Sequence, residues 1–192
     1  LGIDPDRDVD ITVLPPAETV SAMAAGRIDG FCAGAPWGQA AEAAGIGFIA
    51  VNSGQIWRDH PEKCLALRAD FTADHAETTI RLVAALLEAC ALCAAIAQRD
   101  ALADLLARPD YLDLPRALIA ASLNPAAGGP VFALNEPAPT HGAWFAAQMI
   151  RWGKAPPAIA DEVTFLYRPD LYRAAGGKVS VPHQELFMDA LK

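Results

Sequence analysis

Residues 9–14 (V-D-I-T-V-L) alternate apolar and polar side chains, the period of a half-buried strand, and Pro15-Pro16 ends the run. Helical spacing takes over across residues 17–25, and Gly26 stands where a helix end favours glycine. Residues 28–33 read as a second, short apolar strand. Pro36 then opens a helix through residues 37–44 to Gly45, and residues 47–51 read as a third strand. Strands separated by helices this short predict βαβ units and a parallel sheet. After a link at residues 52–63, a fourth strand (64–68) leads into a long helix. Asp74 followed three residues later by Glu77 is the pattern of a capping box at its start. Ile80, Val83, Ala84, Leu87 and Ala91 recur at helical spacing as its buried face. Beyond it only helices are expected, over residues 100–107, 114–123, 141–152, 158–166 and 169–175, with a Pro- and Gly-rich ordered loop at 124–139. The fold class is therefore α/β. The pattern divides near Lys63 into an α/β part, residues 1–62, and a mainly helical part, residues 63–192.

Composition narrows the possible functions. Hydrophobic residues make up 53% of the 192 and charged residues 20%, which argues for a packed, largely helical protein. A formal charge of -8 without clustered Lys and Arg argues against a nucleic-acid surface, so an anionic ligand would have to be held by a few local donors. The longest apolar stretch, residues 82–97, contains Glu88 and falls short of the roughly 18 uninterrupted apolar residues of a membrane span. The chain opens on Leu1 inside what reads as a helix-to-strand link and is expected to be part of a longer protein, so its localisation is left open. Cys32, Cys64, Cys90 and Cys93 all sit among apolar residues and are expected to be core packing.

Catalytic and metal patterns are tested and set aside. His75-Ala76-Glu77 and Cys90-Ala91-Leu92-Cys93 echo the two halves of a zinc deaminase site. On one helix, however, the rise of about 1.5 Å per residue would hold His75 roughly 22 Å from Cys90, whereas zinc ligands all lie about 2 Å from the metal. None of Ser21, Ser53, Ser122 and Ser180 has a neighbouring His that would mark a nucleophile, and no phosphate loop or dinucleotide fingerprint occurs. No metal, cofactor or catalytic residue is expected.

Two segments stand apart. In residues 29–37 (D-G-F-C-A-G-A-P-W) a strand ends in glycine and a helix starts at proline. Free N–H groups at such a junction suit an anion, and Gly34 allows close approach to the backbone. Residues 56–63 (I-W-R-D-H-P-E-K) form a polar link that brings a cation to a strand end, where ligands bind in open α/β sheets. Turn chemistry, with Trp37 and Trp57 as core anchors, accounts for the same residues, so at this level both readings stand.

Residues 26–37 (G-R-I-D-G-F-C-A-G-A-P-W), Gly45-Ile46-Gly47 and residues 56–63 resemble the nitrate- and bicarbonate-binding family of ABC-transporter solute receptors. Residues 1–9, 106–112 (L-A-R-P-D-Y-L), 148–153 (Q-M-I-R-W-G) and 167–174 (Y-R-P-D-L-Y-R-A) extend the likeness over most of the chain in the same order. The resemblance implies a type II bilobed clamp, with residues 1–62 the end of lobe two and residues 63–192 the return to lobe one. It implies that the backbone of Ala33 and Gly34, with Pro36 and Trp37, holds the anion, and that Lys63 supplies a charged contact. A lysine at this place accompanies nitrate in the family and an acid accompanies bicarbonate, so nitrate or nitrite is the expected ligand. Ala35 and Gly38 replace the family's Glu and Asn, which alters the surroundings of the site. The implied partners are the membrane subunits of an ABC transporter, with the protein periplasmic or membrane-associated. The alternative is a cytoplasmic sensor that holds an RNA-binding antitermination protein. The thiamine-pyrimidine synthases share the fold and are enzymes, but their run of adjacent cysteines has no counterpart here. His60, ahead of Pro61, is expected to be structural.

Overall fold

The computed structural model describes residues 2–4, 6–125 and 128–178; Ser180 lies outside them. Ten α-helices are found among these residues: α1 Pro16–Ala24, α2 Trp37–Ala43, α3 Ser53–Ile56, α4 Ala69–Asp74, α5 Ala76–Ala94, α6 Arg99–Leu106, α7 Arg116–Ser122, α8 Pro139–Arg151, α9 Ile159–Glu162 and α10 Pro169–Ala174. Short 3-10 turns occur at Ile96–Gln98 and Val163–Leu166. The chain clusters into two compact units, Leu1–Arg58 with Ala97–Pro130, and Asp59–Ile96 with Val131–Lys192.

Helix ends follow the glycines. Gly26 (φ +66°) and Gly45 (φ +68°) adopt the left-handed conformation that a side chain disfavours. At α1, Gly26 N–H donates to the Met23 carbonyl at 3.0 Å and Arg27 N–H to Ala22 at 2.9 Å; at α2, Gly45 N–H donates to Glu42 at 2.9 Å and Ile46 N–H to Ala41 at 3.2 Å. These paired bonds are the Schellman closure, which satisfies carbonyls that the helix leaves open. The same closure ends α8 at Gly153 and α10 at Gly176.

The four expected strands are not found. Residues 9–14, 28–33, 47–51 and 64–68 are not helical, but among the described residues no strand is present and no backbone hydrogen bond pairs these segments. A strand requires a neighbouring backbone that exchanges hydrogen bonds with it. The alternation of residues 9–14 therefore produces no buried face: Val9, Ile11 and Val13 are 50%, 80% and 93% exposed.

In the first unit Ala22 of α1 and Ala40 and Ala41 of α2 are buried, and α2 packs against both α1 and α7. The other nucleus lies between α6 and α7, where Ala103, Ile119 and Leu123 are buried beneath Leu102, Leu106, Leu112 and Leu114. Arg116 of α7 spans to α6, bonding Asp100 at 2.8 Å and also Asp104. In the second unit α5 packs against α4 and α10, and α8 packs against the Val163–Leu166 turn. Gly142 makes that second contact possible, because a Cβ there would lie 2.6 Å from the Tyr167 ring.

Three local expectations are corrected. Asp74 ends α4, a helix the pattern missed, so His75 rather than Asp74 caps α5 and the capping box does not form; Glu77 instead pairs with Arg81 at 2.6 Å. The buried residue of α5 is Thr79, with Ile80, Val83, Ala84 and Leu87 half-buried and Ala91 exposed. Thr79 lies on the same face as Ile80, Val83, Ala84 and Leu87, so the less exposed stripe is the one the apolar spacing indicates, ending short of Ala91. Cys32 and Cys64 are exposed because they lie on unpaired extended segments, while Cys90 and Cys93 on α5 are half-buried.

Candidate functional site

Ala33, Gly34, Pro36 and Trp37 are consecutive features of one turn in the first unit. Ala33 is half-buried, Gly34 exposed, Pro36 buried and Trp37 half-buried. The Ala35–Pro36 peptide is cis, and Pro36 is the N-cap of α2 rather than its first helical residue. Trp37 N–H donates back to the Gly34 carbonyl at 3.3 Å and Ala40 N–H to Pro36 at 2.9 Å, which ties the turn to the helix. Among the described residues no acceptor meets the N–H groups of Cys32, Ala33, Gly34 or Ala35. Such N–H groups are suited to an anion. Because α2 has only seven residues, its dipole adds little at these amides.

Two contacts not anticipated from sequence fix α2 against residues 47–51. Glu42 Oε1 accepts the Ile49 N–H at 2.8 Å. At the other end of α2, a Cβ on Gly38 would lie 3.1 Å from Ile49 Cγ1, so the glycine allows Ile49 to seat against the first turn. A detectable signal was present in the sequence: an acid in the last turn of a helix opposes the dipole and needs another reason to be there. Residues 47–51 are also held to α1, since a Cβ on Gly47 would lie 2.8 Å from Met23 Cε.

Lys63 lies in the second unit, with its side chain 80% exposed and ion-paired to the adjacent Glu62. The preceding turn uses Asp59 in the left-handed region (φ 54°), a conformation Asp tolerates better than most residues. His60 Nδ1 donates to the Pro61 carbonyl at 3.1 Å, a local turn contact. Beyond Lys63, burial and then the Cys64 thiol push the Tyr167 phenol above its ordinary value. Among the described residues no group of three or more His, Cys, Asp or Glu is placed to hold a metal ion.

Residues 1–107 match the NMT1-like family. The bicarbonate transport ATP-binding protein CmpC of Synechococcus elongatus is 39% identical over 164 residues, 80% of this chain and 24% of that protein. The bicarbonate-binding protein CmpA of the same organism is 33% identical over 213 residues, 96% of this chain and 47% of that protein. The crystal structure of the periplasmic nitrate-binding protein NrtA from Synechocystis PCC 6803 superposes with a TM-score of 0.83 at 27% identity, covering 96% of this chain and 53% of that one. The chain thus spans about half the length of the binding proteins it matches and about a quarter of the ATP-binding protein. The match to NrtA gives the described residues a periplasmic-binding-protein fold. By the family match over its first 107 residues, this chain belongs to the NMT1-like family.

Proposed function

We propose that this chain is part of a non-catalytic receptor that binds nitrate or nitrite and delivers it to the membrane subunits of an ABC transporter. The observation that carries this reading is the superposition on a nitrate-binding protein over 96% of the chain. In this reading the Ala33 and Gly34 amides donate to the oxyanion, Pro36 and Trp37 shape the turn around it, and Lys63 supplies a cation once its exposed pair with Glu62 opens. Exposed pairs of that kind are weak, so the exchange costs little. The relatives carry both nitrate and bicarbonate in their names. Lys63 is the residue that favours nitrate or nitrite. The reading includes a type II α/β clamp in which residues 9–14, 28–33, 47–51 and 64–68 become paired strands of two lobes, and a periplasmic or membrane-associated location. The antitermination alternative gains no support from these relatives, which are named as transport components.

One observation favours a second reading. Identity is higher to a segment of the ATP-binding CmpC than to the separate binding protein CmpA. The same module would then sense the anion within the ATP-binding component of a transporter.

Isothermal titration of the full-length protein with nitrate, nitrite and bicarbonate tests the ligand. Nitrate or nitrite binding is expected, weakened at least about tenfold by Lys63→Ala, the usual scale for losing a charge-assisted contact. Binding of bicarbonate alone would overturn the ligand, and binding that Lys63→Ala leaves unchanged would remove Lys63 from the site.

A further inference from the structure

We propose that Ile49, clamped by Glu42 and Gly38, is the positioning residue that sets the geometry of the Ala33–Trp37 turn. The inference rests on the receptor reading for its consequence in binding, but its structural part stands independently. The turn itself has few restraints. Gly34 and Ala35 are exposed, and within the described residues the turn's own backbone bonds lead only into α2, through Trp37 N–H to Gly34 and Ala40 N–H to Pro36. Wherever α2 lies, the turn must follow.

The seven-residue α2 is too short to be held by its own hydrogen bonds and depends on its neighbours. Both α1 and α7 pack against α2, whose buried residues are the small Ala40 and Ala41; contacts between small residues permit close approach but resist sliding poorly. Ile49 supplies the restraint along the helix axis. Its backbone N–H is bonded to Glu42 in the last turn at 2.8 Å, and its side chain sits against Gly38 in the first turn, 3.1 Å from where a Cβ would be. A single residue thus engages both ends of α2, one by a charge-assisted hydrogen bond and the other by packing that only glycine leaves room for. Ile49 itself belongs to residues 47–51, which Gly47 seats on Met23 of α1, so the restraint refers the turn to the body of the unit. Neither Ile49 nor Glu42 needs to touch the ligand.

Two measurements on the full-length protein separate positioning from ordinary stability. In amide NMR spectra without ligand, Ile49→Ala and Glu42→Ala should each shift the Ala33 and Gly34 resonances, whereas Glu42→Gln, which keeps an acceptor oxygen for the Ile49 N–H, should leave them near wild type. With nitrate, Ile49→Ala and Glu42→Ala should weaken binding about five- to tenfold, the range for residues that act on a site without contacting its ligand. Because Ile49→Ala removes the packing on Gly38 and Glu42→Ala the hydrogen bond to the Ile49 N–H, the double variant should lose more than either alone. Unchanged Ala33 and Gly34 resonances in both alanine variants, with only the melting temperature lowered, would overturn the proposal. If the wild-type protein binds no anion but those resonances move, the positioning role holds and the ligand assignment fails.

Discussion

At the scale of single residues, the most informative groups pair a charge or a glycine with one defined neighbour. Arg168 and Asp170 form a two-point pair at the start of α10, Nε to Oδ1 at 2.8 Å and Nη2 to Oδ2 at 2.6 Å. The Arg168 hydrogen bonds, opposed by a little burial and helped by backbone amides, hold the Asp170 carboxyl down at about 2. Since the folded value lies below the unfolded value of about 3.9, the stabilisation is complete above that pH and disappears as pH falls toward 2. Asp170→Asn should therefore lower the melting temperature slightly at pH 5, and the gap from wild type should close between about pH 4 and pH 2. The effect is small because both partners are about half exposed. A gap that stays constant across that range would show the pair to be idle. Gly142 is the opposite case, a residue defined by what it lacks. Gly142→Ala would place a Cβ 2.6 Å from Tyr167 Cε2 and 3.2 Å from the Val163 carbonyl oxygen, and overpacking of this kind costs about 1–3 kcal/mol. Urea denaturation should show that loss, and adding Tyr167→Leu should recover only part of it because the Val163 oxygen remains. If Gly142→Ala costs the same with and without the Tyr167→Leu change, the ring is not the source of the clash.

Elements show which sequence signals translate directly into structure. The Schellman ends at Gly26 and Gly45 were readable because a glycine after an apolar helical run has one local use. Gly45→Ala should cost about 1–2 kcal/mol by chemical denaturation, since alanine must take φ +68° or unravel the last turn of α2. An unchanged midpoint would mean that the helix end re-forms elsewhere. The capping box at Asp74 failed for a reason of the same kind. The pattern D-x-x-E is met, but Arg68–Asp70 had already started α4, and Asp74 was consumed as its last residue. A helix break set by the preceding element cannot be seen in a window that starts at the break. The candidate turn was legible in Ala33, Gly34, Pro36 and Trp37 as chain-local chemistry, while its support was legible only in part: Glu42, an acid in a helix's last turn, signals a partner, but nothing periodic points to Ile49 seven residues on. The α6–α7 nucleus, by contrast, follows from apolar spacing in two neighbouring helices. Ile119, only 1% exposed, should lose about 2–5 kcal/mol on replacement by alanine.

For the whole molecule the decisive fact is the state of the extended segments. Their alternation is a statement about a sheet, and a sheet is a property of several segments at once, so one chain segment can signal a strand that its surroundings do not complete. Ile11 at 80%, Val13 at 93% and Phe48 at 82% exposed occupy positions that a paired and covered strand would bury. Backbone amides report this directly, because protection from hydrogen exchange requires a bonded N–H and infrequent opening. In the 192-residue chain, amides of residues 9–14 should exchange near their unstructured rates, while those inside α5 and α7 are slowed by orders of magnitude. Within residues 47–51, Ile49 alone should be slowed, through its bond to Glu42. The α/β clamp makes a further demand: in the full-length protein the amides of residues 9–14 should become protected, with alternate residues behaving as one ladder. If they stay unprotected there too, the segments are extended loops and the sheet reading fails, although the helical framework and the turn at Ala33–Trp37 would stand. If they are already slow in the 192-residue chain alone, the pairing is formed by residues within it.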